Sequence, residues 1–248
     1  MTSSREARFI QSSINGIVFY SKSDISSFVS QYGDCPRRFR DILTLLHSDL
    51  QINNSNLKLH WDSAKANFTA NPDHYKNSLK RKDGRNFYDE CHIAIILYTL
   101  GSLYHHLNQD CRNSCGGGKT LKKIPNLSIF LLIRYVMEHK TPSTEPSNLY
   151  RGCTGVPARR IKPGQILGFG QFTSTTVESG MAQMFAGTQG ATFFVIVNSS
   201  SVRTKFIPMQ SHSQYPSENE VLLSPFQTYK VRNVEKMPGD NYYVYLTI

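Results

Sequence analysis

The chain has 248 residues, of which 39% are hydrophobic and 19% charged, so it can bury a core as one large domain or two small ones. Its net charge of +10 favours a partner with negative charge: nucleic acid, an anionic surface or a phosphate-bearing ligand. The longest apolar segment, residues 93–100, is too short to span a bilayer. Residues 1–20 contain no apolar run of signal-peptide length, which predicts a cytoplasmic protein, or a secreted one if a leader has been removed.

Residues 1–145 are predicted to form a mainly helical lobe. A favoured cap residue, Asp24, opens the first helix, and apolar side chains recur at helical spacing in the segments that follow. The predicted helices are residues 24–34, 35–50, 61–68, 86–111 and 125–139. Residues 140–148 contain prolines, serines and threonines and are predicted to connect this lobe to the rest of the chain.

Residues 146–248 are predicted to form a β core. Short segments rich in β-branched and aromatic residues, bounded by Gly, Pro, Asn or Ser, are typical of strands. The predicted strands are residues 148–153, 168–177, 191–198, 219–226, 227–237 and 241–248, with a brief helix over 178–187. Helices followed by strands predict an α+β fold, and we expect a single domain spanning residues 1–248.

The cysteines define neither a disulfide framework nor a metal site. There are five, and an odd count without regular spacing leaves one or two bridges open without predicting them. His105, His106, Cys111 and Cys115 are four possible zinc ligands, but the usual Cys-x2-Cys pairing is absent, and adjacent histidines on a helix point about a hundred degrees apart. We therefore expect no bound metal.

Three short motifs place polar groups in the predicted strands. Arg151 lies in the first strand, and an arginine that points inward needs an anion, either a carboxylate or a phosphate. Residues 172–176 are rich in hydroxyl groups, which can hydrogen-bond a carboxylate on a neighbouring strand. Glu218 and Glu220 are separated by one residue, so a strand would project both from one face. Each motif alone is also consistent with ordinary strand or loop structure.

Together and in this order, the arginine, the Ser-Thr-Thr run and the Glu-x-Glu pair resemble the R-S-E signature of the arginine-specific mono-ADP-ribosyltransferases. This is the vertebrate ecto-enzyme type, related to the cholera-toxin branch. The segments "LYRG", "GFGQFTSTTVESGMAQMF", "ATFFVIV" and "ENEVLLSPFQTYKV" are similar to the family in order and spacing. The likeness covers the chain from near Trp61 onward and extends more weakly before it. The resemblance implies a helical lobe, residues 1–145, packed on a mixed β-sandwich that binds NAD+, residues 146–248.

The resemblance also implies roles for four residues of the motifs. Arg151 would bind the phosphates of NAD+, and Ser174 would hydrogen-bond the catalytic glutamate and fix its orientation. Glu220 would be that glutamate and would stabilise the oxocarbenium-like charge that develops as nicotinamide leaves. Glu218 would hydrogen-bond the acceptor guanidinium and thereby set the preference for arginine.

The resemblance implies contacts for five further residues. Gly152, Phe185, Tyr98 and Thr99 would contact NAD+, and Tyr215 would face the target protein. Gly152 would let the ligand approach the backbone closely. For Phe185, Tyr215 and the other side chains, core packing or a plain loop explains the residue about equally well.

The predicted function is transfer of ADP-ribose from NAD+ to an arginine-bearing protein acceptor, by a monomer that uses no metal. One alternative is an enzyme that mainly hydrolyses NAD+. Another is a basic binding domain without catalysis, although the basic residues do not gather on one predicted face and we expect no nucleic-acid partner. The family's ecto-enzymes carry a leader and a disulfide between the domain ends, and neither a leader nor a cysteine after Cys153 is found here. This difference favours a cytoplasmic location.

Overall fold

The computed structural model describes residues 19–51, 55–100, 103–142, 146–156, 158–198 and 205–248. Within these ranges the chain forms eight α-helices and nine strands. The first strand precedes the helices, and the last helix lies between the fourth and fifth strands. The helices are α1 Lys22–Gly33, α2 Phe39–Gln51, α3 Ser55–Ala70, α4 Pro72–Ser78, α5 Asp89–Thr99, α6 Leu103–Cys115, α7 Leu127–His139 and α8 Ser179–Ala186. The strands are β1 Tyr20–Ser21, β2 Asn148–Thr154, β3 Ile166–Gly168, β4 Thr173–Thr176, β5 Ala191–Val197, β6 Phe206–Pro208, β7 Glu220–Leu223, β8 Thr228–Met237 and β9 Asn241–Thr247.

The order of helices and then strands confirms the predicted α+β layout, and some boundaries differ. The cap of α1 is Ser21, because its hydroxyl accepts from the amide of Asp24 while the Asp24 carboxylate accepts from the amide of Ser21. Asp24 is therefore the third residue of a capping box and not the cap itself. The predicted helix 86–111 is divided into α5 and α6, since the backbone at Leu100 is extended (φ −88°, ψ 108°). Helix α4 and strands β1 and β6 are too short to show a clear pattern in the sequence. Residues 1–18 lie outside the described residues. The expected absence of a leader depends on these residues, and so does the N-terminal limit of the predicted domain.

The nine strands form one sheet in the order β1-β3-β8-β9-β5-β2-β4-β7-β6. All neighbouring strands are antiparallel except β5 and β9, which are parallel. The predicted strand 168–177 is wrong as a single element, because β3 pairs with β8 whereas β4 pairs with β2 and β7. Gly170 lies between them with φ +61°, and a Cβ there would approach the ring of Tyr20 to 2.6 Å. The chain turns at this glycine and places β4 beside β7.

The sheet curls around its own apolar core. Side chains from widely separated strands, such as Leu167 on β3 and Val221 on β7, belong to one buried cluster. A second cluster contains the helices together with Phe172, Ile207 and Leu222. The helical lobe therefore packs against the end of the sheet formed by β4, β7 and β6.

Two further properties bear on the sequence predictions. In the part of the chain that the structure describes, no helix is long and apolar enough to cross a membrane. All five cysteines lie in that part, and each is buried as a free thiol.

Candidate active site

A small pocket lies where β2, β4 and β7 meet helix α8. Its lining includes the four residues of the sequence motifs and one aromatic residue of α8: Arg151, Ser174, Glu218, Glu220 and Phe185. The antiparallel pairing of β2 with β4 and of β4 with β7 brings these distant segments together. The fold thus gathers at one place the residues that the sequence motifs single out.

Arg151 supplies positive charge to the pocket from the middle of the sheet. Its side chain is only 6% exposed, because β2 lies between β5 and β4. Nη1 donates a hydrogen bond to the backbone carbonyl of Ser174 at 2.6 Å. Nε is buried and has no hydrogen-bond partner among the described residues. A buried guanidinium that is bonded to a neutral carbonyl and lines a pocket is suited to an anionic ligand such as a phosphate.

The two glutamates reach the pocket by a different route from the one predicted. Glu218 ends a single helical turn, Pro216–Glu218, and Glu220 is the first residue of β7. Asn219 between them has a left-handed conformation (φ 47°), a region that asparagine tolerates better than most residues. The strand predicted from residue 219, with alternating side chains, is therefore wrong at its start. The turn and the left-handed residue bring both carboxylates, 1% and 3% exposed, to the same pocket.

The hydroxyl groups of β4 hold the backbone of the acidic segment. Thr176 Oγ1 donates to the carbonyl of Glu218 at 2.7 Å and accepts from the amide of Glu178 at 3.0 Å. Thr175 Oγ1 donates to the carbonyl of Val221 at 2.7 Å. The hydroxyls of Thr175 and Thr176 thus bond backbone carbonyls, and not the carboxylates that the motif leads one to expect. The predicted hydrogen bond from Ser174 to the catalytic glutamate stays a prediction.

Helix α8 packs directly on β2, and Gly152 makes this possible. A Cβ at residue 152 would lie 1.8 Å from the carbonyl oxygen of Ala182 and 2.7 Å from the amide of Ala186. The backbone that approaches Gly152 closely is therefore that of α8. Phe185 lies three residues after Ala182 on the same helix, and it belongs to the lining of the pocket. Contact of Gly152 and Phe185 with NAD+ stays a prediction.

Three other predicted residues lie away from this lining. Tyr98 is buried against Phe172, and its hydroxyl accepts a hydrogen bond from Asn108. Thr99 is buried too and donates to the carbonyls of Ile96 and His212. The structure does not bring Tyr98 and Thr99 to the pocket, because both complete the contact between the helices and the sheet. Tyr215 is partly exposed, and its carbonyl accepts from the amide of Glu218 at 3.0 Å.

The chemistry available at the pocket is that of carboxylates and a guanidinium. Cys153, two residues beyond Arg151, is fully buried, and burial raises the pKa of its thiol. A thiol protonated at neutral pH is a poor nucleophile. The described residues contain no cluster of three or more His, Cys, Asp or Glu side chains that could hold a metal ion.

The family model described as NAD:arginine ADP-ribosyltransferase matches residues 24–247. The chain belongs to this family. The resemblance seen in the sequence motifs is thereby confirmed over nearly the whole chain. Among solved structures, a mutant of the eukaryotic mono-ADP-ribosyltransferase ART2.2 in complex with NAD is similar in fold, with a TM-score of 0.62 and 21% identity. The match covers 83% of each chain and confirms the predicted fold.

Two curated relatives show how far the similarity extends. The erythroblast NAD(P)(+)–arginine ADP-ribosyltransferase of Gallus gallus is 31% identical over 156 residues, which are 60% of this chain and 48% of the relative. Ecto-ADP-ribosyltransferase 5 of Bos taurus is 27% identical over 218 residues, 85% of this chain and 65% of the relative. The chain thus spans between about half and two thirds of the length of these relatives.

Proposed function

We propose that this protein transfers ADP-ribose from NAD+ to arginine side chains of an acceptor protein and releases nicotinamide. One observation carries the proposal: in a member of this family, Glu218, Glu220 and Arg151 line a single pocket, and all three are buried. Burial lowers the local dielectric, which strengthens the effect of each charge on a substrate held between them.

Arg151 fits the phosphates of NAD+. Its guanidinium carries a permanent charge, one bond to a neutral carbonyl and a buried Nε with no partner in the described part of the chain. Phosphate oxygens can accept from more than one nitrogen of a guanidinium, which fixes the orientation as well as the position of the substrate. Phe185 of α8 adds an apolar surface to the lining of the pocket.

Glu220 acts on the bond that breaks. As the bond between nicotinamide and the ribose C1 lengthens, positive charge develops on the sugar, and a nearby carboxylate stabilises it. Nicotinamide leaves with the electron pair of that bond. Strand β7 fixes Glu220, because its backbone pairs with Thr176 in register.

Glu218 acts on the bond that forms. A carboxylate accepts hydrogen bonds from an arginine guanidinium in a fixed geometry, so Glu218 would hold the acceptor with one nitrogen directed at C1. That nitrogen bonds to the sugar and loses a proton, which the Glu218 carboxylate accepts and passes to solvent. The hydrogen bond from Thr176 to the Glu218 carbonyl keeps the two carboxylates in one arrangement.

The test combines two measurements on one reaction. The protein is incubated with NAD+ and agmatine, and nicotinamide release and labelled agmatine are both measured. Labelled agmatine in proportion to nicotinamide is the expected result. Nicotinamide without labelled agmatine would replace the proposal with NAD+ hydrolysis. Neither product, together with binding to DNA or RNA that depends steeply on salt, would replace it with a binding domain.

We also propose that the protein acts outside the cell and as a monomer. The bovine relative is named an ecto-enzyme, which removes support from the cytoplasmic expectation. The pocket is formed by one chain, so no second copy is needed to complete it. Fractionation of expressing cells tests the first statement, and size-exclusion chromatography tests the second.

A further inference from the structure

The segment that carries Glu218 is a compact loop attached to the first residue of β7. Residues 209–219 connect β6 to β7. The amide of Met209 donates to the carbonyl of Glu220 at 2.8 Å, and the amides of His212 and Ser213 both donate to the carbonyl of Met209 at 2.8 Å. Two hydrogen bonds therefore connect His212 to Glu220 through Met209, so a contact that fixes the position of His212 also restrains Glu220.

The helical lobe holds this loop at His212. Nδ1 of His92, on α5, lies 3.0 Å from Nε2 of His212, and the two rings are parallel within 2°. Thr99 donates to the carbonyl of His212 at 3.2 Å, and the ring of Tyr75 on α4 lies 5.3 Å from the His212 ring. His92 is 0% and His212 3% exposed, so the contact is closed to water.

A buried pair of histidines costs more free energy than a pair of apolar residues at the same place. In a neutral pair, one ring nitrogen donates and the other accepts, which leaves one outer nitrogen as a donor and one as an acceptor. The outer atoms, His92 Nε2 and His212 Nδ1, are buried without a hydrogen-bond partner in the ranges that the structure describes. Two apolar residues of similar size would avoid this cost. A directional polar contact, however, specifies one arrangement of the loop.

We propose that His92 and His212 are positioning residues whose hydrogen bond fixes residues 209–219, and with them Glu218 and Glu220, as long as the pair is uncharged. The inference rests on the proposed function for the roles of the two glutamates. Because both rings are buried, uptake of a proton requires the contact to open to water. The contact therefore makes the order of the acceptor-binding segment depend on pH.

Burial of the two rings sets the direction of this dependence, and the nearby charges modify it. Burial lowers the pKa of His92 to about 4, with Lys76 and Lys80 lowering it and Asp89 raising it. Burial, His92 and His74 lower the pKa of His212 to about 3. When the loop opens, the ring of His212 leaves His92 and regains the ordinary pKa of 6.5, while His92 stays in α5, so below pH 6.5 the open form binds one more proton than the closed form. The contact is at full strength above pH 6.5 and weakens as the pH falls towards 3.

Amide hydrogen exchange of residues 205–221, corrected for the intrinsic effect of pH, measures the contact without any substrate. Two substitutions of His212 separate charge from packing. His212→Gln places a neutral amide near the position of Nε2, and His212→Leu keeps the volume but removes the hydrogen bond. His47→Gln, at an exposed histidine of α2, is the matched control.

We expect wild-type exchange in this segment to be about 30-fold faster at about pH 5 than at about pH 7.5. His212→Leu should exchange about tenfold faster already at about pH 7.5, His212→Gln should stay protected at both values, and His47→Gln should follow the wild type. Wild-type protection in His212→Leu, or a wild-type response to pH in His212→Gln, would overturn the proposal. If His212→Leu does not fold, the comparison of His212→Gln with the wild type decides.

Activity supplies an independent result. In His212→Leu, kcat for agmatine labelling should fall about tenfold with the KM for NAD+ unchanged, because the displaced group is a positioned carboxylate and not the phosphate site. If the exchange results follow expectation but no NAD+ is cleaved, the positioning contact stands and the proposed enzyme does not. If NAD+ is cleaved but the exchange results do not follow expectation, the proposed enzyme stands and the positioning contact does not.

Discussion

Arg134 in the helical lobe and Arg151 in the sheet are both almost fully buried, but their surroundings differ. Arg134 donates to the carboxylate of Glu138 at 2.9 Å and to the hydroxyl of Ser224 at 2.8 Å, and its guanidinium lies 4.7 Å from the ring centre of Phe226. Arg151 donates to a neutral carbonyl and lines a pocket.

The difference shows how one residue type serves two purposes. The charge of Arg134 is compensated within the protein, so the residue joins α7 to the turn between β7 and β8. The charge of Arg151 is directed to a pocket that also holds two carboxylates, so its compensation can come from a ligand. Removing Arg134 should therefore change stability, whereas changing Arg151 should change substrate binding.

The largest expected effect on stability is that of Arg134→Met. The change removes a charged hydrogen bond and the cation–π contact, and leaves Glu138 without its nearest cation, which costs about 3 kcal/mol in the free energy of unfolding. Urea unfolding measures it. Arg40→Met, at an exposed arginine of α2, should stay within about 0.5 kcal/mol of the wild type. Equal losses in both variants would show that the contacts of Arg134 contribute nothing specific.

Gly152→Ala tests the packing of α8 that shapes the pocket. The added Cβ overlaps the backbone of Ala182, so the helix must shift, and we expect a loss of about 1–3 kcal/mol in unfolding free energy together with a higher KM for NAD+. Gly180→Ala is the control on α8, because a Cβ there meets nothing within 4 Å. A Gly152→Ala protein with wild-type stability would contradict the direct contact of helix and strand.

Arg151→Lys sharpens the comparison of the two arginines. Lysine keeps the charge but loses the planar fork of donors, so the KM for NAD+ should rise about 10- to 100-fold, with the unfolding free energy lowered by about 1 kcal/mol at most. Steady-state kinetics of nicotinamide release measure the first quantity. Arg134→Lys is the counterpart and should leave KM unchanged. An unchanged KM in Arg151→Lys would remove Arg151 from the substrate site.

Thr176→Val has the smallest expected effect and tests how the sheet holds the acidic segment. Loss of the hydroxyl leaves the carbonyl of Glu218 and the amide of Glu178 without this partner, so kcat should fall about tenfold and stability by about 1 kcal/mol. Thr176→Ser should restore both. Thr192→Val is the matched control, since the buried hydroxyl of Thr192 has no partner in the described residues. A fall in Thr192→Val equal to that in Thr176→Val would count against a specific role.

The elements that a local sequence pattern marks, such as apolar periodicity in helices, could be predicted from the sequence. Apolar periodicity located most helices, and β-branched segments such as residues 191–197 became strands with nearly the expected limits. The order of Arg151, Ser174, Glu218 and Glu220, which resembles that of a known family, also singled out four residues that line one pocket, and their roles stay predictions. Their convergence in one pocket required the sheet order, which no local pattern contains.

Features set by single residues or by distant contacts could not be predicted. The left-handed conformation of Asn219 replaces strand alternation with a turn, and nothing in the local composition requires it. The close approach of α8 to Gly152 joins segments about thirty residues apart, and no local pattern predicts it. The contact of His92 with His212 joins residues 120 positions apart.

The most direct test of the central claim compares Glu218→Gln with Glu220→Gln, using Glu235→Gln, at an exposed carboxylate of β8, as the control. With NAD+ and agmatine, Glu220→Gln should lower both nicotinamide release and agmatine labelling by about 10²- to 10³-fold. Glu218→Gln should lose agmatine labelling but retain part of the nicotinamide release, and Glu235→Gln should resemble the wild type. If Glu218→Gln and Glu220→Gln lose both activities to the same extent, or retain both, the two carboxylates do not have the separate roles assigned to them.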